Sequence, residues 1–179
     1  FDEIFSTFLV NSEIRKKIKK IKKTKKKFNT EKQNKIISKL NFKLTSDQNK
    51  TLEEINNDLC SENKMFRLLQ GDVGSGKTIV SLLSAFNTIN SGFQVAVMAP
   101  TEILARQHFF LAKKIFPENI KIELISGKST YKDKKDILNR LMKKQIDIIF
   151  GTQALFQKKI EFKKLGLIII DEQHKFGVN

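Results

Sequence analysis

The sequence predicts an α/β fold, a parallel sheet flanked by helices, and three observations support that prediction. Short apolar runs alternate with helical stretches of about 10 to 15 residues, the order typical of βαβ units. A glycine-rich segment, residues 71–78, lies between one apolar run and one helical stretch. An acidic pair, Asp171-Glu172, follows the last long apolar run. These features indicate a sheet that carries a phosphate-binding loop after one strand and carboxylates after another.

The elements before the glycine-rich segment are predicted as a long helix, a hinge, a second helix and a strand. Residues 1–28 have apolar side chains on a common face, and no Gly or Pro interrupts them. Residues 29–41 are polar, which favours a hinge. A second helix begins near Thr45, and residues 65–69 form an apolar strand that ends at the glycine-rich segment.

After the glycine-rich segment, three helices alternate with four strands. The helices are predicted over residues 77–89, 102–116 and 133–144. The first ends at Gly92, which suits a left-handed C-terminal cap, and the second ends at Pro117. The strands are predicted over residues 95–98, 120–125, 146–150 and 167–170. Residues 120–125 alternate apolar with charged side chains and so expose one face, whereas residues 167–170 are fully apolar, which favours a central strand.

The composition excludes several classes of protein. The 179 residues suit one domain, and 40% of them are hydrophobic, which is too many for a disordered chain. No apolar run reaches the roughly 20 residues of a membrane-spanning helix, so no membrane partner is expected. Cys60 is the single cysteine, which rules out an internal disulfide and favours the reducing cytoplasm. One Cys with two His also argues against a structural zinc site.

The net charge of +15 points to an anionic partner, most often nucleic acid. Residues 11–35 hold 12 basic and 2 acidic residues, so two-thirds of the excess charge lies in this short basic stretch. One interpretation is a helix that runs beside nucleic acid phosphates. The other is a solvated connecting helix whose lysines reflect an AT-rich genome, and the residues alone leave both open.

Residues 71–78 match the phosphate-loop pattern G-x-x-x-x-G-K-[ST]. Glycines let successive backbone N–H groups turn toward phosphate oxygens, and the N-terminus of the following helix favours anions. The segment consists of Gly71, Asp72, Val73, Gly74, Ser75, Gly76, Lys77 and Thr78. We expect Lys77 to reach the β- and γ-phosphates of a nucleotide and the Thr78 hydroxyl to bind Mg²⁺. The alternative is a glycine-rich turn without a ligand.

The acidic pair at the end of the last strand supplies the carboxylates that such a loop requires. We expect Asp171 to bind Mg²⁺ through water and Glu172 to polarise the attacking water. An adjacent Asp-Glu pair favours hydrolysis over transfer to a small acceptor. The alternatives are an acidic pair that only caps a strand end, a phosphate-loop kinase or small-molecule ATPase, and a non-catalytic nucleic-acid-binding module.

Four segments together resemble the RecG-type helicases of superfamily 2, which are bacterial ATP-dependent DNA helicases. They are residues 71–78, Met98-Ala99-Pro100-Thr101-Glu102-Ile103-Leu104-Ala105, Gly151-Thr152-Gln153-Ala154-Leu155 and Asp171-Glu172-Gln173-His174. The resemblance covers essentially the whole chain and implies a RecA-like P-loop NTPase fold preceded by a long basic helix. The main alternative is the translocase module of the transcription-repair coupling factor, which Glu102 and Gln173 disfavour.

The resemblance implies roles for further residues. Phe42 and Gln48 lie in a segment similar to the adenine-reading Q motif, so Gln48 is expected to select ATP, although Thr45 and Gln48 also fit a helix capping box. The helix that opens at Pro100, Thr101 and Glu102 is expected to hold a DNA phosphate, with a plain N-cap at Thr101 as the alternative. Contacts to DNA, or coupling to it, are also implied for Gly151, Thr152, Gln153, Gln173 and His174.

Two residues depart from the family pattern. Gln153 stands where the family usually has His, and Lys175 stands where it usually has Arg. Both keep a hydrogen-bonding side chain. The first departure removes an imidazole, and the second weakens bidentate contacts because an ammonium lacks the planar fork of a guanidinium.

The resemblance also implies a domain organisation. Residues 1–40 would form a basic connecting helix and hinge, and residues 41–179 an incomplete RecA-like ATP-binding domain. The chain begins with Phe1 rather than Met, so we expect a piece of a longer monomeric bacterial protein, with a wedge domain before it and a second RecA-like lobe after it. The implied partner is branched double-stranded DNA, such as stalled forks and Holliday junctions in repair and recombination. Because the arginine finger would lie on the second lobe, weak or no ATPase activity is expected from this chain alone.

Overall fold

A four-stranded parallel sheet is the centre of the fold. The computed structural model describes residues 21–127, 129–152 and 160–172. The strands are β1 (Gln94–Met98), β2 (Ile122–Leu124), β3 (Ile148–Gly151) and β4 (Leu165–Ile170), in the spatial order β2-β3-β1-β4. All three pairings are parallel, which confirms the predicted α/β class.

Five helices are described, and most of their predicted positions are confirmed within two residues. They are α1 (Thr30–Ile37), α2 (Ser46–Cys60), α3 (Lys77–Asn90), α4 (Glu102–Ile115) and α5 (Tyr131–Met142). Polar side chains start four of them: Asn29, Thr45, Thr101 and Thr130 each accept a hydrogen bond from a backbone N–H of the first turn. Such caps satisfy amides that a helix cannot pair internally.

Side chains that alternate along the strands divide the core between the two faces of the sheet. Val95 and Val97 of β1 face α3, and the apolar cluster on this side extends to Ile36 of α1, Leu52 of α2 and Ala112 of α4. Ala96 of β1 and Ile149 of β3 face α5 on the other side, where they pack with Ile137 and Leu141. The period of two along a strand produces this division.

The prediction of one helix over residues 1–28 is wrong for residues 21–28, which are extended, while residues 1–20 lie outside the described chain. The backbone pairs with the segment after α2: Lys23 N donates to Glu62 O at 2.7 Å and Lys64 N donates to Ile21 O at 3.0 Å. The Lys23 ammonium also donates to Asp58 O. Tertiary partners therefore replace the internal hydrogen bonds that a helix would supply.

The predicted hinge over residues 29–41 is also wrong, because it contains α1 and that helix is docked on the core. Ile36 is buried against α2 and α3. Gln33 accepts hydrogen bonds from Asn56 and from the buried Asn87. Two isoleucines, Ile36 and Ile37, and the Gln33 amide thus anchor a helix that looks polar in sequence.

Residues 65–69 were predicted as a strand, but they form no ladder among the described residues. Met65 and Leu69 pack partly against the core, and Arg67 holds Glu54 and Asp58 of α2 through salt bridges of 2.7 and 2.8 Å. Strand β4 was predicted to be central but is an edge of the described sheet, with Ile168 and Ile170 about half exposed. Both segments thus differ from the prediction in strand pairing: residues 65–69 join no described strand, and no described segment pairs with the outer edge of β4.

No described helix is long and apolar enough to cross a bilayer.

Candidate functional site

Three strands of the sheet end side by side, and the predicted site residues follow their ends. Met98 of β1 lies opposite Gly151 of β3 and opposite Ile170 of β4. Two further hydrogen bonds extend these ladders, from Ala99 N to Gly151 O and from Asp171 N to Met98 O. Pro100, Thr152 and Asp171 therefore follow the ends of three adjacent strands, within about 10 Å of one another across the sheet.

The orientation of α3 brings the glycine-rich loop to the same edge. Only residues 91–93 separate the end of α3 from the start of β1, and α3 packs on β1 and β4. The helix must therefore run antiparallel to the strands. Its 14 residues span about 21 Å, which exceeds the roughly 17 Å of the five-residue β1. Lys77 thus begins the helix near the carboxyl ends of the strands.

The loop backbone has the conformation that a phosphate cradle requires. Gly74 and Gly76 have φ of +83° and +81°, values that side-chain-bearing residues rarely adopt. Ser75 N donates to Asp72 O at 3.2 Å, which closes a turn. No side chain of the described residues caps the N-terminus of α3. Its first amides can therefore bind an anion, and the sequence prediction of a phosphate loop agrees with this geometry.

Lys77 stabilises the loop from inside. Its ammonium donates to Gly71 O at 2.7 Å and to Asp72 O at 2.8 Å. Phosphate oxygens carry full charge and would compete well with these two carbonyl acceptors. Thr78, the next residue of α3, is half-buried in the first turn of the helix. Lys77 and Thr78 thus lie side by side at the N-terminus of α3, next to the glycine-rich loop.

Gln48 connects the helix cap of α2 with the phosphate loop. Thr45 and Gln48 form the predicted capping box, with Thr45 N donating to Gln48 Oε1 at 3.0 Å and Gln48 N donating to Thr45 Oγ1 at 3.2 Å. Gln48 Nε2 donates to Ser75 O at 2.9 Å. The packing is so close that a Cβ atom on Gly76 would collide with the Gln48 amide. Phe42, just before this box, is about half exposed.

Asp171 is held at both its backbone and its side chain. Its carboxylate Oδ2 lies 2.7 Å from His108 Nε2 of α4. The His108 side chain is only 11% exposed, whereas the Asp171 side chain is 29% exposed, so the carboxylate still reaches solvent. Glu172 follows with a left-handed backbone, φ +50°, which is uncommon for a residue with a long side chain.

The start of α4 is built as an N-cap. Thr101 Oγ1 accepts from Leu104 N at 3.3 Å, as the plain-cap alternative predicted. Glu102 accepts hydrogen bonds from the Arg106 guanidinium and from Gly127 N at 3.0 Å. Its carboxylate therefore ties α4 to the loop after β2. Thr152 is partly exposed after β3, whereas Gln153, Gln173 and His174 lie outside the described residues.

His108 is the site residue that the sequence did not predict. It is one of three buried positions along α4, with Ala105 before it and Ala112 after it. The available signal was a polar ring on a helix face whose other buried residues are alanines, since buried polar groups require a partner. The partner lies 63 residues away in sequence and is found only in the fold.

Comparison with known proteins places this geometry in a family. A family model described as DEAD/DEAH box helicase matches residues 45–179. The chain belongs to the DEAD/DEAH box helicase family. The matched range contains the phosphate loop, the cap of α4 and the Asp171-Glu172 pair.

Individual relatives confirm the resemblance to RecG. The chain is 50% identical over 139 residues to the ATP-dependent DNA helicase RecG of Streptococcus pneumoniae, and 45% identical over 179 residues to that of Thermotoga maritima. These alignments cover 78% and 99% of this chain but 21% and 23% of the relatives. A solved structure, RecG bound to a three-way DNA junction, matches 99% of this chain and 25% of that chain with a TM-score of 0.87 and 44% identity. The chain thus spans less than a quarter of the length of these curated relatives.

The residues of this helicase-family chain fit a nucleotide with a divalent ion. The uncapped start of α3 and the left-handed glycines provide inward-facing amides, and Lys77 provides the positive charge. Oxygen donors are the chemistry that Mg²⁺ prefers, and Thr78 and Asp171 supply them at one edge of the sheet. No group of three or more His, Cys, Asp or Glu in the described part of the chain could hold a metal by itself. The phosphates of the nucleotide would complete such a site.

Proposed function

We propose that this chain is the ATP-binding half of the motor of an ATP-dependent helicase that remodels branched DNA. The observation that carries the proposal is the convergence of the phosphate loop and Asp171 at one edge of the sheet. The similarity to RecG proteins over nearly the whole chain supports the choice of DNA as substrate. We further infer that the RecA-like domain begins near residue 41 and that the basic connecting segment before it packs on this domain through α1. We also infer a monomer that acts in the cytoplasm of a bacterium.

Each predicted residue has a place in this mechanism. The loop amides and Lys77 would hold the β- and γ-phosphates, and Thr78 and Asp171 would hold Mg²⁺, which would neutralise charge on those phosphates. Glu172 would orient and deprotonate the attacking water. Gln48 and Phe42 would contact adenine. The hydrogen bond from Gln48 to Ser75 would couple adenine binding to the conformation of the phosphate loop.

The residues after β1 and β3 are proposed to face DNA. Pro100 and Thr101 lie at the N-terminus of α4, whose dipole favours a phosphate. Glu102 is engaged with Arg106 and Gly127, so we propose that it orders this surface rather than touching DNA directly. Gly151 and Thr152 lie beside it at the same edge, and the same role is proposed for Gln153, Gln173 and His174.

The test of this proposal uses the longer protein that contains this chain and a fluorescent three-way DNA junction. We expect ATP- and Mg²⁺-dependent unwinding of the junction. Lys77→Ala is expected to weaken ATP binding about 10- to 100-fold, because it removes a charged hydrogen bond to phosphate, and to abolish unwinding. Lys132→Ala, at an exposed lysine of α5, is the matched control. This variant is expected to bind ATP and to unwind the junction as the native protein does. Unwinding by the Lys77→Ala protein at the native rate would contradict the proposal.

A further inference from the structure

The contact between His108 and Asp171 connects helix α4 with the acidic pair after β4, two segments that lie 63 residues apart in sequence. His108 Nε2 lies 2.7 Å from Asp171 Oδ2, a distance typical of a strong hydrogen bond to a carboxylate. The imidazole is almost completely buried on α4. Because Asp171 has no proton to donate when ionised, Nε2 must be the protonated nitrogen that donates to the carboxylate.

The backbone of Asp171 is already fixed, so His108 decides where the carboxylate points. Asp171 N donates to Met98 O at 2.8 Å, which continues the ladder between β1 and β4. Rotation about the side chain is the freedom that remains. The bond to His108 takes one oxygen, and Oδ1 has no hydrogen-bond partner among the described residues. The side chain is partly exposed, so Oδ1 remains available at the edge of the sheet.

We propose that His108 is a positioning residue for the metal-binding carboxylate of Asp171. A hydrogen-bonded partner behind a metal ligand orients that ligand, and its loss typically weakens metal binding about 10- to 100-fold. The inference rests on the proposed function, because it requires Asp171 to act on the Mg²⁺ of a bound nucleotide.

The same contact gives α4 a direct connection to the nucleotide site. Thr101 and His108 are seven residues apart, which is about two helical turns or 10 Å of a rigid element. Thr101 lies at the end proposed to face DNA, and His108 holds the carboxylate proposed to face Mg²⁺. A small shift of α4 on DNA would therefore move the imidazole relative to Asp171.

The experiment measures binding of a fluorescent ATP analogue to the chain as a function of Mg²⁺ concentration, with EDTA as the metal-free reference. His108→Gln retains an N–H at nearly the position of the imidazole Nε2, whereas the shorter His108→Asn cannot reach Asp171. We expect His108→Asn to raise the half-saturating Mg²⁺ concentration about 10- to 100-fold and His108→Gln to stay within about threefold of the native chain. Both variants should bind the analogue in EDTA as the native chain does.

A packing variant on the same helix separates positioning from general stability. Phe109 contacts Phe150 edge-to-face at a ring distance of 6.2 Å and is the neighbour of His108 in sequence. Phe109→Leu is expected to lower the melting temperature without changing the Mg²⁺ midpoint. An unchanged midpoint in His108→Asn, or an equal shift in Phe109→Leu, would overturn the positioning role while leaving the proposed function intact. A native chain that binds the analogue without any dependence on Mg²⁺ would contradict both.

Discussion

Lys26 and Lys77 are two lysines whose surroundings give them different roles. Lys77 lies in a loop where carbonyl oxygens and incoming phosphates can both accept its hydrogen bonds. Lys26 is only 5% exposed, and its ammonium lies 4.9 Å from the centre of the Phe93 ring. Burial, with a smaller effect from the charge of Lys23, lowers the pKa of Lys26 to about 8. Lys26 therefore packs in the folded core, although at pH 7 its ammonium is still mostly protonated.

Replacement of Lys26 by methionine is expected to stabilise the fold at neutral pH. The folded pKa of about 8 lies below the ordinary value of 10.5, so the unfolded state binds more protons between these values. The native chain therefore gains stability as pH rises from about 8 to 10.5, and carries the cost of a buried charge below pH 8. At about 1.4 kcal/mol for each pKa unit, about 3 kcal/mol is the upper bound of that cost, because the ammonium retains part of its solvation.

Urea unfolding of the native chain and of Lys26→Met at pH 7 and pH 10 measures this effect. The free energy of unfolding of Lys26→Met should exceed that of the native chain by more at pH 7 than at pH 10. Lys25→Met is the control, because Lys25 is well exposed and pairs with Glu62 on the surface. A difference between native and Lys26→Met that does not change with pH would contradict a buried, titrating ammonium.

Among the elements, α1 illustrates how a few polar contacts can place a helix. Gln33 Oε1 accepts from Asn87 Nδ2 at 2.6 Å and from Asn56 Nδ2 at 3.0 Å, and Asn87 Nδ2 also donates to Asn56 Oδ1. This amide cluster joins α1, α2 and α3. Asn87 is 2% exposed, so the cluster lies where an unpaired amide is costly. The short α1 is thereby attached to the helix that follows the phosphate loop.

Gln33→Leu is expected to destabilise the chain by about 1 to 3 kcal/mol, because Asn56 Nδ2 loses its acceptor and Asn87 loses one of two. Thermal unfolding followed by circular dichroism measures the loss. Asn34→Leu, on the exposed face of the same helix, is the control and should change stability by less than about 0.5 kcal/mol. Equal effects of the two substitutions would show that the amide cluster does not hold α1 in place.

At the scale of the whole molecule, the described sheet has an open edge beside its site. Strand β4 carries Asp171 at its end and pairs on one side only, and Ile168 and Ile170 on one of its faces are about half exposed. The phosphate loop is supported by α3 and by Gln48, whereas the segment before it pairs with no described strand. Among the described residues, the candidate site is therefore bordered on one side by an unpaired strand edge.

The chain by itself is expected to bind ATP and to hydrolyse it slowly or not at all. The resemblance to RecG-type helicases implies that ATP turnover requires an arginine finger from a second lobe. A single arginine finger is worth roughly 10³ to 10⁵ in rate. A phosphate-release assay on the chain, with and without branched DNA, measures this directly. A full-length relative, such as the RecG protein of Thermotoga maritima, is the positive control. Robust DNA-stimulated turnover by the 179 residues alone would contradict the prediction.

Sequence reasoning succeeded where the physics is local. Capping by Thr45 and Thr101, the ends of α3 and α4, and the glycine conformations of the phosphate loop all depend on residues within a few positions of each other. It was wrong for residues 21–28, for α1 and for β4, because each of these depends on a partner distant in sequence. The backbone of residues 21–23, for instance, pairs with that of residues 62–64.

The order of residues alone indicates the chemistry of the candidate site, since the phosphate loop and the pair Asp171-Glu172 supply the groups proposed to bind a nucleotide. How those groups are held follows only from the folded chain. The docking of α1 and the orientation of Asp171 by His108 arise from contacts across 54 and 63 residues, respectively. Such contacts form only when the core brings distant segments together, because local periodicity carries no information about which buried polar groups will pair.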